Sequence, residues 1–263
     1  MDQNSTTDSP FDADRPQRFD GIVGNQKVTK KLAAMLAKNR LPKVIYFNGP
    51  IGSGKTTTAR IVARAKLCTG RSEGEYEPCG LCPHCQDVLN DSTCSVVEYH
   101  EYAAIDMTLE SLTDLTFILL RPWEVVFIDE LQDMAPDLLR KFRKMLESTK
   151  ATVIMATTHP DQIEDAVRSR LKSYEYEITR PTVEEAAVFL ETKFASHQIS
   201  FESRRQLERV TEALNCEMRP IGEFPRKVIA EADGKLTDEY LDEVFGAPTV
   251  QTKNMAVRRK QLI

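Results

Sequence analysis

The sequence predicts an α/β protein: a parallel sheet covered by helices on both faces, followed by a small all-helical domain. Three observations carry that expectation. Short β-prone runs alternate with helical stretches as far as Arg180. The first of those runs ends in a glycine-rich loop that leads straight into a helix. Past Arg180-Pro181 no strand-like run is found, and the apolar residues recur at helical spacing.

The elements follow in order. Val28, Leu32, Met35 and Leu36 predict a helix over 26–38. Val44 to Phe47 is a first buried strand, and a helix free of Gly and Pro runs from Lys55 toward Leu67. Ser95 to Tyr99, Val125 to Ile128, Thr152 to Ala156 and Tyr174 to Ile178 read as further strands, with a helix over Asp137 to Leu146. Thr182 with Glu185 forms a capping box ahead of an apolar helical run. Three more helices are expected, over about 202–214, over about 226–232, and from about Leu236. The expected organisation is a disordered acidic tail (1–14), an α/β domain (15–180) with a cysteine-rich insert (68–85), a helical domain (181–246) and a basic tail (247–263) that carries Arg258-Arg259-Lys260.

Composition bounds the function. The chain has 263 residues, of which 41% are hydrophobic and 29% charged, as in globular proteins. No apolar run approaches a membrane span, and the N-terminus lacks the pattern of a signal peptide. The expectation is a cytoplasmic protein in a reducing compartment, with no membrane partner. The net charge of −5 means that a DNA partner would require a local basic patch.

Gly49-Pro50-Ile51-Gly52-Ser53-Gly54-Lys55-Thr56 satisfies G-x-x-x-x-G-K-[ST] between a strand and a helix. Glycines such as Gly49, Gly52 and Gly54 let backbone wrap phosphate oxygens, and the N–H groups of Ser53 to Thr57 face the anion at the helix start. Lys55 would reach the β- and γ-phosphates of ATP, and the Thr56 hydroxyl would ligate Mg²⁺. Val125 to Ile128 ends in Asp129-Glu130: Asp129 is expected on Mg²⁺, and Glu130 to orient the attacking water. Ala156-Thr157-Thr158 places hydroxyls after the fourth strand. Arg168-Ser169-Arg170 falls in an expected loop, where an arginine could serve a neighbouring subunit's ATP. Arg140, Arg143 and Lys144 share a helix face that suits a DNA backbone or, equally, solvent.

Cys68, Cys79, Cys82 and Cys85 are spaced C-x10-C-x2-C-x2-C, enough for a closed tetrahedral Zn²⁺ site with a structural role. Four cysteines also suit an iron–sulfur cluster. His84, between two of them, could replace one as a ligand but is read as facing solvent, and Cys94 and Cys216 as isolated thiols. The insert is otherwise polar, so metal binding would supply the folding free energy that its few apolar groups cannot.

Taken together these motifs resemble the clamp-loader branch of the AAA+ ATPases. Arg15-Pro16-Gln17-Arg18-Phe19-Asp20-Gly21-Ile22-Val23-Gly24 is similar to the box that opens that family, and FIDE, ATTHP and S-R follow in the family's order. The four-cysteine insert is similar to the zinc module of the bacterial DNA polymerase III gamma/tau subunits. The resemblance implies an AAA+ P-loop ATPase domain with a helical lid. By position it implies Thr158 as the first sensor of the γ-phosphate, Arg170 as a finger supplied in trans, Arg219 as the lid's second sensor, and Ile22 and Val23 as the adenine-side wall. It implies a hetero- or homo-pentameric ring of AAA+ subunits, a sliding clamp and primer-template DNA as partners. The alternatives are a helicase loader or remodeller of another replication or mobile-element complex, or a finger-donating subunit that does not hydrolyse ATP.

Several departures shape the expectation. Leu171 stands where the family has cysteine. Pro220 and Pro225 flank Arg219, which predicts a reshaped lid there. The stretch from Gln86 to Leu120 holds no Lys or Arg, which closes the family's usual DNA route through it. The chain stops just past the lid, where the family continues into a collar, and this suggests a compact viral or mobile-element system.

Overall fold

The computed structural model describes residues 15–90 and 98–247. The first described turn is a 3₁₀ turn, Phe19–Gly21, with Phe19 buried. Helix α1 (Gln26–Ala37) buries Leu32, Ala33 and Leu36, the face its periodicity predicted. Strand β1 (Val44–Asn48) runs into the glycine-rich loop, and α2 (Lys55–Leu67) leaves it. After α3 (Pro83–Asn90) come β2 (Tyr99–Ala103), α4 (Leu109–Ile118) and β3 (Val125–Asp129). Then follow α5 (Pro136–Leu146), β4 (Thr152–Thr157), α6 (Asp165–Leu171) and β5 (Glu175–Glu177).

The sheet order is β2-β3-β4-β1-β5, and every pairing is parallel. Alternation along the strands divides two cores. Ile45, Phe47, Val125 and Phe127 face α1, α2 and Val88 of α3. Val44, Tyr46, Val126 and Ile128 face Leu112 and Leu115 of α4, Phe142 of α5, and Val167 and Leu171 of α6. Each such side chain, fully buried, contributes roughly 1.5–3 kcal/mol. All the carboxyl ends of the strands lie on one edge, which is where α/β sheets bind ligands.

Some expectations change. The second strand was expected to begin at Ser95, but 95–97, together with Cys94, lie outside the described residues; the described strand is Tyr99–Ala103. The tail 1–14 and 248–263, with its basic cluster, lie outside as well. The fifth strand is shorter than predicted, because Lys172 to Tyr174 form a 3₁₀ turn. Arg168 and Arg170 sit on helix α6 and not in a loop: Val167 and Leu171 are buried one turn apart and hold the segment helical. Leu171 is thus a core residue.

The second compact unit begins at Pro181. Helix α7 (Val183–Ser196) starts with the expected capping box: Thr182 Oγ1 accepts from the Glu185 N–H at 3.2 Å, and Glu185 accepts from the Thr182 N–H at 2.9 Å. A two-residue parallel pair, β6 (Ser200–Phe201) with β7 (Lys235–Leu236), was not legible in the sequence. Helices α8 (Arg204–Ala213), α9 (Met218–Ala232) and α10 (Asp238–Phe245) complete the unit around Phe194, Phe224 and Leu241. Helix α9 begins eight residues before the expected Arg226 (226 − 218) and runs through both prolines. Pro220 falls in the first turn, where N–H groups have no intrahelical partner. Pro225 costs one hydrogen bond but is buried with Ile221, Phe224 and Val228, whose packing offsets it.

The tightest steric constraint is at Gly49. A Cβ there would lie 1.9 Å from the Ile178 carbonyl oxygen at the end of β5. Gly49→Ala is expected to cost about 2 kcal/mol or more, read as a lowered thermal midpoint of the purified protein.

Candidate nucleotide site and metal centre

The phosphate loop spans the gap between β1 and α2. Gly54, with φ of +94°, turns the chain into the helix in a conformation that L side chains rarely adopt. Ser53 is buried, and its hydroxyl has no hydrogen-bond partner among the described residues. Lys55 is buried too; its Nζ donates to the carbonyl oxygens of Gly49 and Pro50, both at 2.9 Å. Burial lowers the Lys55 pKa, while Glu130 and Asp129 pull it back up. A buried ammonium and an orphaned hydroxyl at the N-terminus of a helix are donors that a polyphosphate fits.

Strand pairing brings the acids to this loop. Asp129, the last residue of β3, accepts from the Thr56 hydroxyl at 2.7 Å and from the Glu130 N–H at 3.0 Å. Burial raises the Asp129 pKa, and the Thr56 hydroxyl opposes that rise. Thr56 and Asp129 therefore present two oxygens side by side, a pair that suits Mg²⁺. Thr57 follows on the first turn of α2.

Glu130 adopts the left-handed region, with φ of +50°. That turn aims its carboxylate across the sheet edge. Its Oε2 accepts from Thr158 Oγ1 at 2.8 Å and from Gln132 Nε2 at 2.9 Å. The Gln132 Oε1 in turn accepts from the Thr157 hydroxyl at 2.5 Å. Gln132 went unnoticed in the sequence. Its only signal was its position, two residues past Glu130, and its role as a bridge arises from the β3–β4 pairing.

Ile22 and Val23 are half-buried, and Ile22 packs on the α1–α2 core. Asn25 ties this segment to the end of β5: its Nδ2 donates to the Thr179 carbonyl and its Oδ1 accepts from the Thr179 N–H, both at 2.8 Å. The next residue, Arg180, donates to the Ile51 carbonyl at 3.3 Å. The segment is thereby bonded to the phosphate loop's own support.

Other expected residues stand apart. Arg170 is exposed and pairs with Glu147. Arg140 is exposed, pairs with Asp137 at 3.0 Å and lies 3.9 Å from Glu164. Arg143 is half-buried, with its Nε shielded and without a partner, and Lys144 is exposed. Arg219 is on the first turn of α9 in the second unit.

The cysteines converge. The sulfurs of Cys68, Cys79, Cys82 and Cys85 all lie within 4.8 Å of one another, and Cys68 and Cys82 are 4.0 Å apart. Zn–S bonds of about 2.3 Å place tetrahedral sulfurs roughly 3.8 Å apart, so a small contraction closes the site. Burial pushes the Cys85 thiol up to about 12. Burial also opposes ionisation of Cys82, yet hydrogen bonds from Cys85 and Thr69 bring it down to about 5. His84 does not face solvent as expected: its Nε2 lies 3.4 Å from Glu98 Oε2, and its side chain is largely buried. It is no part of the sulfur cluster.

Residues 24–179 match the family model described as DNA polymerase III, delta subunit. The chain belongs to that family. Two relatives place it further. The tau subunit of DNA polymerase III from Bacillus subtilis (strain 168) is 30% identical over 169 residues, covering 62% of this chain and 29% of that protein. The tau subunit from Salmonella typhimurium is 26% identical over 238 residues, covering 88% of this chain and 36% of that protein. The chain thus spans about a third of the length of the curated relatives it matches. Among solved structures, a variant of Thermotoga maritima RuvB superposes with a TM-score of 0.63 at 18% identity, over 91% of this chain and 78% of that one. The fold is therefore an AAA+ P-loop fold, and the chain is similar to tau subunits of DNA polymerase III.

Two outcomes follow from the site. Protein purified under reducing conditions should carry about one zinc per chain by elemental mass spectrometry, and Cys82→Ser should lose most of it. Asp129 gains a burial penalty on ionising, so its folded pKa stands above its unfolded one. Its contribution is favourable below the unfolded pKa and is lost as pH rises through the folded pKa. Asp129→Asn should therefore match or exceed wild-type stability at neutral pH, with the difference vanishing in acid. The same variant should lose the extra thermal shift that Mg²⁺ adds to bound ADP.

Proposed function

We propose that the chain is an ATP-hydrolysing motor subunit of a sliding-clamp loader. The observation that carries this reading is the contact of Glu130 with Thr158, alongside the Thr56–Asp129 pair and buried Lys55. A water-polarising carboxylate, a phosphate-sensing hydroxyl, a metal-ligand pair and a phosphate cation are what hydrolysis of a triphosphate requires.

The loop N–H groups and Lys55 hold the β- and γ-phosphates, and Ile22 and Val23 wall the base. Thr56 and Asp129 would hold Mg²⁺, which when bound would supply positive charge against the phosphate oxygens. Glu130 orients the attacking water and takes up its proton. The Thr158 hydroxyl, which engages Glu130 here, is placed to exchange that partner for a γ-phosphate oxygen. Arg170 is exposed at the surface, where a finger for a neighbouring subunit must be. Arg219 is the proposed second sensor. ATP binding would close subunit interfaces, and hydrolysis would open them.

The proposed partners are sister AAA+ subunits, a clamp and primer-template DNA. Arg140, Arg143 and Lys144 on α5 are the candidate DNA face, with Arg140 exchanging Asp137 for a phosphate. The α4 side does not suit DNA. Asp106, Glu110 and Asp114 are exposed there beside Ile105, Leu109 and Phe117, a surface that fits a protein. No helix among the described residues is long and apolar enough to cross a membrane.

Glu130→Gln decides the reading. In the assembled complex ATP turnover should fall by about 10² or more with ADP affinity unchanged. Unchanged turnover would favour a subunit that only lends its finger. Co-purification of a helicase or nuclease in place of a clamp would favour a different AAA+ machine.

A further inference from the structure

The cysteine insert is bonded to the base-side segment of the nucleotide site. Glu77 lies in the insert, two residues before Cys79. Its Oε2 accepts from the Phe19 N–H at 2.9 Å and its Oε1 from the Asp20 N–H at 3.1 Å. Those are the first N–H groups of the 3₁₀ turn Phe19–Gly21, the donors that a helical turn leaves without backbone acceptors. The residue that closes this turn is Ile22, whose N–H bonds the Phe19 carbonyl at 3.1 Å. Tyr76, also of the insert, packs edge-on against Phe19, with ring centroids 5.9 Å apart.

A second strut comes from α2. Arg64 is 2% exposed, a charge that is costly to bury without a counter-charge. Its Nη1 donates to the Gln17 carbonyl at 2.9 Å. The guanidinium also reaches the insert: its Nη2 lies 3.8 Å from where a Cβ would stand on Gly80, between Cys79 and Cys82, and the charge of the nearby sulfurs acts on it. Four thiolates around Zn²⁺ carry a net charge of −2, which matches a buried cation. The same arginine thus joins the sulfur cluster to the chain just ahead of the 3₁₀ turn.

We propose that Glu77 and Arg64 are positioning residues for the base-side wall Ile22-Val23, so that metal occupancy of the cysteine cluster sets the affinity for the nucleoside part of the nucleotide. This rests on the nucleotide site proposed above. The phosphate loop is held mainly through β1, β4 and β5, and it meets the base-side segment at Asn25 and Thr179. The effect therefore falls chiefly on the base side and much less on the polyphosphate. By linkage, bound nucleotide in turn strengthens metal retention.

The test measures ADP and inorganic tripolyphosphate affinities by calorimetry on the full chain, with Mg²⁺ in excess. It compares wild type, wild type after a zinc-selective chelator under reducing conditions, and Glu77→Ala. Glu77→Ala keeps all four cysteines and the phosphate loop, and its zinc content and circular dichroism confirm that the module is intact. ADP affinity is expected to fall about tenfold in both perturbed samples, with tripolyphosphate changed less than about twofold. Chelating Glu77→Ala should then add little. Unchanged ADP affinity in both samples overturns the inference, as do equal losses for ADP and tripolyphosphate, which would mean general loosening. Failure of wild type to bind either ligand would instead overturn the nucleotide site itself, and the inference with it.

Discussion

Strand β1 is paired on both sides, by β4 and by β5, and the candidate site depends on that position. An interior strand of a parallel sheet has no free edge, so its carboxyl end is fixed from both sides. The loop that leaves it must pass between Thr157 and Ile178. The Gly49 N–H donates to the Thr157 carbonyl at 3.3 Å, and the Ile178 carbonyl occupies the space a side chain would need. The loop is thus shaped by its neighbours as much as by its own glycines. Because β4 also separates β1 from β3, the acids of β3 reach the loop over one strand's width.

Charge organises the rest. Lys55 is buried and held by backbone carbonyls, and two carboxylates nearby offset part of its desolvation. Asp129 shares in this: burial works against its ionised form, while Thr56 and the Glu130 N–H favour it. Such opposing effects leave groups that bind a metal–phosphate unit without first breaking strong ion pairs. Arg64 and the sulfur cluster form a second centre of the same kind, in which burial works against a cation and the nearby sulfurs favour it. The two centres lie at opposite ends of α2, so one helix carries both.

Much of this was legible because it is local. The phosphate loop, the cysteine spacing and the alternating cores are patterns of neighbours in the chain, and they recur where expected. Helix α9 was misread because proline was weighed by its local cost alone, while Pro225 is compensated by burial among Ile221, Phe224 and Val228. Arg168 and Arg170 were placed in a loop because their segment is short and polar, and only the core beneath Val167 and Leu171 makes it helical. The insert was read as a structural metal site. Its link to Phe19 and Asp20 spans more than fifty residues of sequence and leaves no local trace.

By itself, then, the sequence determined the alternation of strands and helices, the candidate phosphate-binding and metal-binding residue sets, and the resemblance to clamp loaders. Those depend on spacing along the chain, which backbone geometry reads directly. The tertiary structure alone decided that Gln132 bridges Glu130 to Thr157, that His84 turns to Glu98, and that Glu77 caps the turn before Ile22. Each is a hydrogen bond or close polar contact between segments that meet only once the sheet order is set. The partner of a buried polar group is chosen by which group the fold delivers within reach.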